Sequence, residues 1–107
     1  MFTELFGSVS QERALIFILC RGSGYAREIA RFYDTGLISI QKQLAKLDGG
    51  ILVSEQLGRT RMYSFNPRYA LLPELQALLR KSLEFYPPEE LERLQVTRTR
   101  PRRQGKP

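Results

Sequence analysis

The 107-residue chain contains no histidine, no tryptophan and only one cysteine, Cys20. A single cysteine excludes an internal disulfide, and the lack of histidine removes the commonest metal ligand. Cys20 is therefore expected to be a small buried apolar side chain, with a redox-sensor role as the less favoured alternative. We predict a protein of a reducing compartment that has no metal site and no cofactor.

The sequence also lacks a long apolar run and the motifs of known catalytic sites. The apolar stretch 14–19 is too short to span a bilayer, and the N-terminus has neither the basic segment nor the cleavage site of a secretion signal. There is no Gly-rich phosphate loop, no paired-carboxylate motif and no nucleophile motif. These absences predict a cytoplasmic protein that is not an enzyme and does not associate with membranes.

Basic residues are plentiful, and they are unevenly placed. The chain has a net charge of +6. Residues 21–68 carry eight basic and four acidic side chains, and residues 96–107 carry five basic side chains and no acidic one. Charge clustered in this way is typical of a surface that meets a polyanion.

The first half of the chain has the pattern of three helices. Ser8 followed by Gln11 matches a capping box, which predicts a helix from about Val9 to Cys20. The segment 26–33 predicts a second, short helix, and residues 34–36 are turn formers. Apolar residues then recur at spacings of three, four and three, which predicts a third helix over residues 37–47 with one buried stripe, formed by Leu37, Ile40, Leu44 and Leu47.

The second half predicts a hairpin followed by helices. Segments 51–57 and 61–65 have β character, and residues 58–61 would form a four-residue tip that carries two arginines. A helix is expected from Pro73 to about Tyr86, followed by a short helical turn over 89–95. The domain would therefore span residues 1–95, and residues 96–107 would form a basic, disordered tail.

Several motifs occur in a family-specific order: LFGS near the N-terminus, YAREIAR at 25–31, SIQKQLAKLDGGIL at 39–52 and RTRMYSFNP at 59–67. Over about residues 5–79 the chain resembles the ArsR-type winged-helix regulators. It is most similar to the small winged-helix proteins found attached to or near nucleotidyltransferase domains. The fold implied is mainly α, a winged helix-turn-helix with a two- or three-stranded antiparallel sheet.

The resemblance implies that the helix 37–47 enters the DNA major groove, that the hairpin is the wing, and that the outer helices form a homodimer. On the helix, Gln41 can pair with adenine and Ile38 can touch a thymine methyl, while the lysines can reach guanine or phosphate. The expected DNA-binding residues are Ile38, Ser39, Gln41, Lys42, Lys46, Arg59, Thr60 and Arg61. The expected dimer contacts are Phe2, Leu5, Phe6, Leu75, Leu79 and Leu83.

The basic residues also fit less specific explanations. Lys42 and Lys46 would suit an ordinary solvated helix face, and Arg59 and Arg61 would suit a charged guard on a hairpin edge. The basic tail is either an arm that follows DNA or a solubilising end. ArsR-type metal sensing is not expected, because the chain lacks the histidines and paired cysteines that such sensors use.

Arg27 and Arg31 are a separate case, since ion pairs with the neighbouring Glu28 and Asp34 suit them at least as well as phosphate contacts. Together these features predict a homodimeric, sequence-specific regulator of transcription, a repressor, that binds double-stranded DNA. The alternative is a protein-interaction module that docks a partner, such as a separately encoded nucleotidyltransferase.

Overall fold

The computed structural model describes residues 3–99, and the side chains of residues 4–95. This part of the chain consists of six helices and one antiparallel hairpin. The elements are α1 (Thr3–Phe6), α2 (Val9–Arg21), α3 (Ala26–Tyr33), α4 (Leu37–Leu47), β1 (Leu52–Leu57), β2 (Thr60–Phe65), α5 (Leu72–Leu83) and α6 (Pro88–Thr99). The predicted order of helix, helix pair, hairpin and helix is confirmed.

Helix α2 is the centre of the core. Ser8 caps its N-terminus by accepting a 3.0 Å hydrogen bond from the Gln11 backbone N–H, which is one of the two bonds of the predicted capping box. The consecutive residues 14–18 are all buried, so the helix has no solvent-facing side over this stretch. A helix that is apolar all round needs neighbours all round. Helices α1, α3, α4, α5 and α6 and strand β2 all pack against it.

The turn between α3 and α4 holds the two helices in a fixed relation. Asp34 has φ 54° and ψ 54°, and it is the one non-glycine residue with a positive φ among those described. The Thr35 N–H reaches back to the Ala30 carbonyl at 2.9 Å, as in a Schellman motif. Aspartate tolerates this left-handed conformation better than most residues do. Only the three residues 34–36 separate α3 from α4. Gly36 occupies the N-cap position of α4, so no side chain caps this helix.

The hairpin tip differs from the prediction. Thr60 belongs to β2 and pairs with Leu57, so the turn contains only Gly58 and Arg59. A positive φ of 64° at Gly58 is what a two-residue hairpin turn requires at its first position. The predicted four-residue tip is wrong because the β-branched Thr60 and the next residue, Arg61, both take part in the strand ladder.

The hairpin is joined to the helical core through Gly24, which follows α2. Gly24 and Tyr63 exchange two backbone hydrogen bonds, at 2.9 and 2.8 Å. At this point the backbone passes very close to the core: a Cβ on Gly24 would lie 3.0 Å from two ring carbons of Phe17 and 3.3 Å from Ile29 Cδ1. The absence of a side chain at Gly24 therefore lets the wing strand lie against α2.

Helix α6 is longer than predicted and is firmly docked. It runs to Thr99, into the segment expected to be disordered. Leu94 is fully buried in the core, and the Arg21 side chain donates a 2.9 Å hydrogen bond to its carbonyl. In return, Arg93 donates to the Phe32 carbonyl at 2.7 Å, close to the end of α3. Residues 100–107 of the expected tail lie outside the described residues.

Two further features secure this helix. The Arg21 and Arg93 guanidinium carbons lie 5.2 and 4.2 Å from the Phe32 ring centroid, which is cation–π geometry. Near the start of α6, the Tyr86 hydroxyl donates a hydrogen bond to the buried Glu12 carboxylate. Burial and this bond raise the pKa of Tyr86, so the phenol stays protonated and remains a donor. Because α5 ends at Leu83, rather than near Tyr86 as predicted, Tyr86 lies in the connection.

The close approach at Gly24 generates a prediction for stability. Gly24→Ala places a methyl group against the fully buried Phe17 ring, and such overpacking typically costs about 1–3 kcal/mol. We expect the free energy of unfolding, measured by urea denaturation, to fall by that amount.

Gly50→Ala is the matched control. Its added Cβ would meet only the Leu47 carbonyl at an ordinary 3.7 Å. Its φ is not positive, so we expect a change within about 0.5 kcal/mol. Equal stabilities of the two variants would show that the contact with Phe17 does not limit the position of the wing.

Candidate nucleic-acid interface

The face of α4 that points away from the core is polar and low in bulk. Ile40 and Leu44 are fully buried against the core, as the apolar stripe predicted. Ser39, Lys42 and Lys46 are exposed on the opposite side. A helix can approach the floor of a DNA groove only if its outward face has this character.

Ile38 is the exception on this face. Its side chain is 68% exposed, more than any other large hydrophobic among the described residues. It lies in the first turn of α4, the part of a recognition helix that reaches base edges in helix-turn-helix proteins.

A cleft of about 520 Å³ separates α4 from the wing. Arginines come to it from both sides: Arg27 from the first turn of α3, and Arg59 and Arg61 from the hairpin. Among the described residues that line it, none is acidic. The full lining is Tyr25, Ala26, Arg27, Leu37, Gln41, Leu44, Gln56, Arg59, Thr60, Arg61 and Tyr63.

The walls of the cleft also provide neutral hydrogen-bonding groups. Gln41 and Gln56 offer amides from α4 and β1. Burial, and next the nearby Asp48 carboxylate, raise the pKa of Tyr63, so its phenol is neutral at physiological pH. The cleft therefore combines cationic arginines with uncharged hydrogen-bond donors. Both kinds of group contact phosphate oxygens in protein–DNA complexes.

Within the wing, Arg61 is held in place by a hydrogen-bonded chain. Arg61 Nη1 donates to Ser54 Oγ at 2.8 Å, and Ser54 Oγ donates to Asp48 Oδ2 at 2.9 Å. Asp48 is the C-cap residue, directly after the last residue of α4. These two hydrogen bonds therefore connect the wing to the end of the predicted recognition helix.

The eight predicted DNA-binding residues form two groups in the structure. Gln41, Arg59, Thr60 and Arg61 line the cleft together. Ile38, Ser39, Lys42 and Lys46 lie on the exposed face of α4 and are not part of the cleft lining.

Sequence reasoning missed Tyr25 and Gln56, and it left Arg27 undecided. Gln56 stands directly opposite Arg61 in the strand register, and this pairing follows once the hairpin tip is read as two residues. Arg27 occupies the start of the first helix of the pair, which in helix-turn-helix proteins crosses the DNA backbone.

The ion pairs considered for Arg27 and Arg31 are not formed with Glu28 or Asp34 in the described part of the chain. The Glu28 carboxylate instead accepts a 3.4 Å hydrogen bond from the Tyr25 backbone N–H, at the N-terminus of α3. Arg27 and Arg31 are both exposed. Both can therefore meet a ligand from solution.

Part of the predicted dimer surface is inside the protomer. Phe6 is buried, with 7% of its surface exposed, and Leu79 is fully buried, so neither has surface left for a partner. Leu75 and Leu83 pack half-buried against the same core. These two residues are packed inside the protomer because α1, which carries Phe6, and the apolar stripe of α5 that contains Leu79 both face α2.

A second apolar row lies beside the buried stripe of α5. Leu71, Leu78 and Phe85 are exposed at intervals of seven residues along α5 and its flanking positions. Leu5 on α1 is exposed as well, while Phe2 lies outside the described residues. This row, Leu71–Leu78–Phe85, is named the α5 row below.

Three further expectations concern Cys20, metals and membranes. Cys20 is half-buried and packs against the core. In the described residues, no group of three or more cysteine, aspartate or glutamate side chains is placed to hold a metal ion. No helix within residues 3–99 has both the length and the apolar character needed to cross a bilayer.

Comparison with known proteins gives one informative likeness. No protein-family model and no curated protein matches the chain. Among solved structures, it is similar to the winged-helix regulator ZitR of Lactococcus lactis, determined as a double mutant in its apo form. The TM-score is 0.53 at 19% sequence identity, over 85% of this chain and 76% of that one.

The chain has the winged helix-turn-helix fold. Helices α3 and α4 are its helix-turn-helix pair, and β1 and β2 form its wing. The predicted fold class is confirmed. At 19% identity the likeness to ZitR extends to the fold, so the function of this winged helix has to be argued from its own residues.

Proposed function

We propose that this winged helix is a transcription regulator that binds double-stranded DNA sequence-specifically as a homodimer. The observation that carries the proposal is the basic cleft between α4 and the wing, next to an outward α4 face of low bulk. Similarity of fold to the winged-helix regulator ZitR supports it.

The dimensions of α4 suit the major groove. A helix with its side chains is about 10–12 Å across, and the groove is about 12 Å wide. Ser39 and Ala45 let the helix backbone come close to the base edges. Lys42 and Lys46, one turn apart, extend from the same face toward guanine or the backbone.

The cleft suits the adjacent sugar–phosphate strand. With α4 in the groove, Arg27 and Arg59 would approach phosphates from the two sides of the cleft. Phosphate contacts fix the position of the helix, and the exposed α4 side chains would read the sequence. Repression follows if the bound site overlaps a promoter, since a bound dimer excludes polymerase.

The proposal predicts how DNA binding depends on salt. The double variant Lys42→Ala plus Arg59→Ala should weaken binding on the order of 10- to 100-fold at about 0.1 M salt. It should also make the negative slope of log K against log salt shallower by about one to two. Fluorescence anisotropy with a duplex recovered by selection from a random pool measures both quantities.

A matched control is available on α5. Arg80→Ala plus Lys81→Ala removes the same two charges from exposed positions away from the cleft, and should leave the slope nearly unchanged. Equal effects of the two double variants would mean that net charge alone drives binding. Failure of the unmodified protein to enrich any duplex would refute DNA recognition and favour the protein-docking alternative.

Ile38 generates a prediction about base reading. An exposed isoleucine in the first turn of α4 is placed to bury a thymine C5 methyl. Removing one buried methyl costs about 0.8 kcal/mol, so replacing the contacted thymine by deoxyuracil should weaken binding about fourfold.

The preference for thymine over uracil should disappear in Ile38→Ala and persist in Leu57→Ala, which shortens an exposed apolar side chain on the wing. A thymine preference that survives in Ile38→Ala would assign the methyl contact to another residue.

The α5 row is the surface through which we expect two copies of the chain to form the dimer. Leu78 on α5 and the residues just beyond its two ends, Leu71 and Phe85, together form an exposed apolar seam, and such a seam can pair with itself across a twofold axis. Two such copies would present two α4 helices to DNA half-sites about one helical turn apart.

Leu78→Glu should therefore convert the dimer to a monomer in sedimentation velocity, because it would bury a charge in the seam. Leu57→Glu makes the same change at a comparably exposed leucine on the wing, 49% against 41%, and should leave the dimer intact. A dimer that persists in Leu78→Glu would place the interface elsewhere.

A further inference from the structure

Ser54 and Asp48 hold the guanidinium of the wing residue Arg61 in place. We propose that Ser54 is a positioning residue: it controls DNA affinity through Arg61 while making no essential DNA contact of its own. The affinity part of this inference rests on the proposed function. The positioning of Arg61 is a property of the free protein.

The direction of the hydrogen-bonded chain is fixed by its chemistry. Arginine can only donate, and an ionised carboxylate can only accept. The Ser54 hydroxyl therefore accepts a hydrogen bond from Arg61 at 2.8 Å and donates its one O–H hydrogen bond to Asp48 at 2.9 Å. Only serine or threonine provides this combination of donor and acceptor in so short a side chain.

The strand register brings these residues to one face of the hairpin. Ser54 stands opposite Tyr63, and Gln56 stands opposite Arg61. Ser54 and Arg61 are therefore diagonal neighbours, within reach for a long side chain. The same face carries the buried Leu52, so the hydrogen bonds of Ser54 lie on the side of the wing that faces α4 and the cleft.

The hydroxyl also acts as a spacer between charges. Within the described residues, Asp48 and Arg61 form no direct ion pair, and Ser54 stands between them. One guanidinium N–H is used by Ser54, and the remaining donors stay available for a phosphate. Without the hydroxyl, Arg61 would either move freely or turn toward the carboxylate, and both outcomes weaken phosphate binding.

An Arg61 side chain that is already ordered in the free protein raises the affinity for DNA, because it loses less conformational freedom when DNA binds. Loss of a single such restraint is expected to weaken binding several-fold. The effect must pass through Arg61, and this requirement separates positioning from a direct contact or from general damage to the fold.

The test combines two measurements. In the first, dissociation constants for the selected duplex are measured for the unmodified protein, Ser54→Ala, Arg61→Ala and the double variant. We expect Ser54→Ala to weaken binding about 3- to 10-fold in the unmodified background and to have no effect when Arg61 is already alanine. Ser64→Ala, on the other face of the hairpin, should change nothing.

The second measurement needs no DNA. In the ¹⁵N-labelled free protein, NMR relaxation of the Arg61 Nε–H group should show a more ordered side chain than that of Arg59 at the hairpin tip. That order should fall in Ser54→Ala and persist in Ser64→Ala.

The two measurements distinguish the possible failures. Equal weakening by Ser54→Ala with and without Arg61, or an Arg61 side chain that is equally mobile in Ser54→Ala and the unmodified protein, would overturn the positioning role. If no duplex is recovered at all, the proposed DNA binding fails, and the relaxation data alone decide whether Ser54 holds Arg61.

Discussion

The contact between Gly24 and Phe17 determines how the wing lies on the helical core. Phe17 is fully buried in the central helix α2, and the Gly24 backbone passes it with no room for a side chain. Gly24 is bonded on its other side to Tyr63 of β2. The distance from α2 to the wing is therefore set by backbone and an aromatic ring, both of which are rigid. Because α4 also packs on α2, this contact sets the width of the cleft between α4 and the wing.

The arginines of the chain divide into two kinds that net charge does not distinguish. Arg21 and Arg93 lie on the Phe32 ring and donate to backbone carbonyls, so they join α6 to the rest of the fold. Arg27 and Arg59 line the cleft and are exposed. A charge tally over residues 21–68 therefore indicates a basic surface but includes a residue, Arg21, that has a structural role.

Local patterns predicted the parts of this fold that local interactions determine. The α4 stripe could be read from spacing alone, since Ile40 and Leu44 must face the core together, and this also determined which side chains face outward. The Ser8 cap was predictable because both partners lie within one turn.

Interactions between distant parts of the chain account for the errors. Helix α6 has little apolar periodicity, and it is held by contacts with α2 and α3 more than 60 residues away, such as the bond from Arg93 to Phe32. Helix α5 has two apolar rows, and spacing alone could not tell which one faces α2. The cleft was missed in part for the same reason, because Arg27 reaches it only when α3 and the wing are brought together.

The two-residue hairpin turn shows how a small local feature leads to a functional arrangement. In a hairpin, the length of the turn sets the register, and a shift of one residue moves every side chain to the other face. With Gly58 and Arg59 as the turn, Arg61 falls on the same face as Ser54 and can be held by it. A four-residue tip would instead leave Arg61 in a loop, with no strand partner and no hydroxyl beside it. The positive φ at Gly58 is therefore a condition for the geometry at Arg61, three residues away.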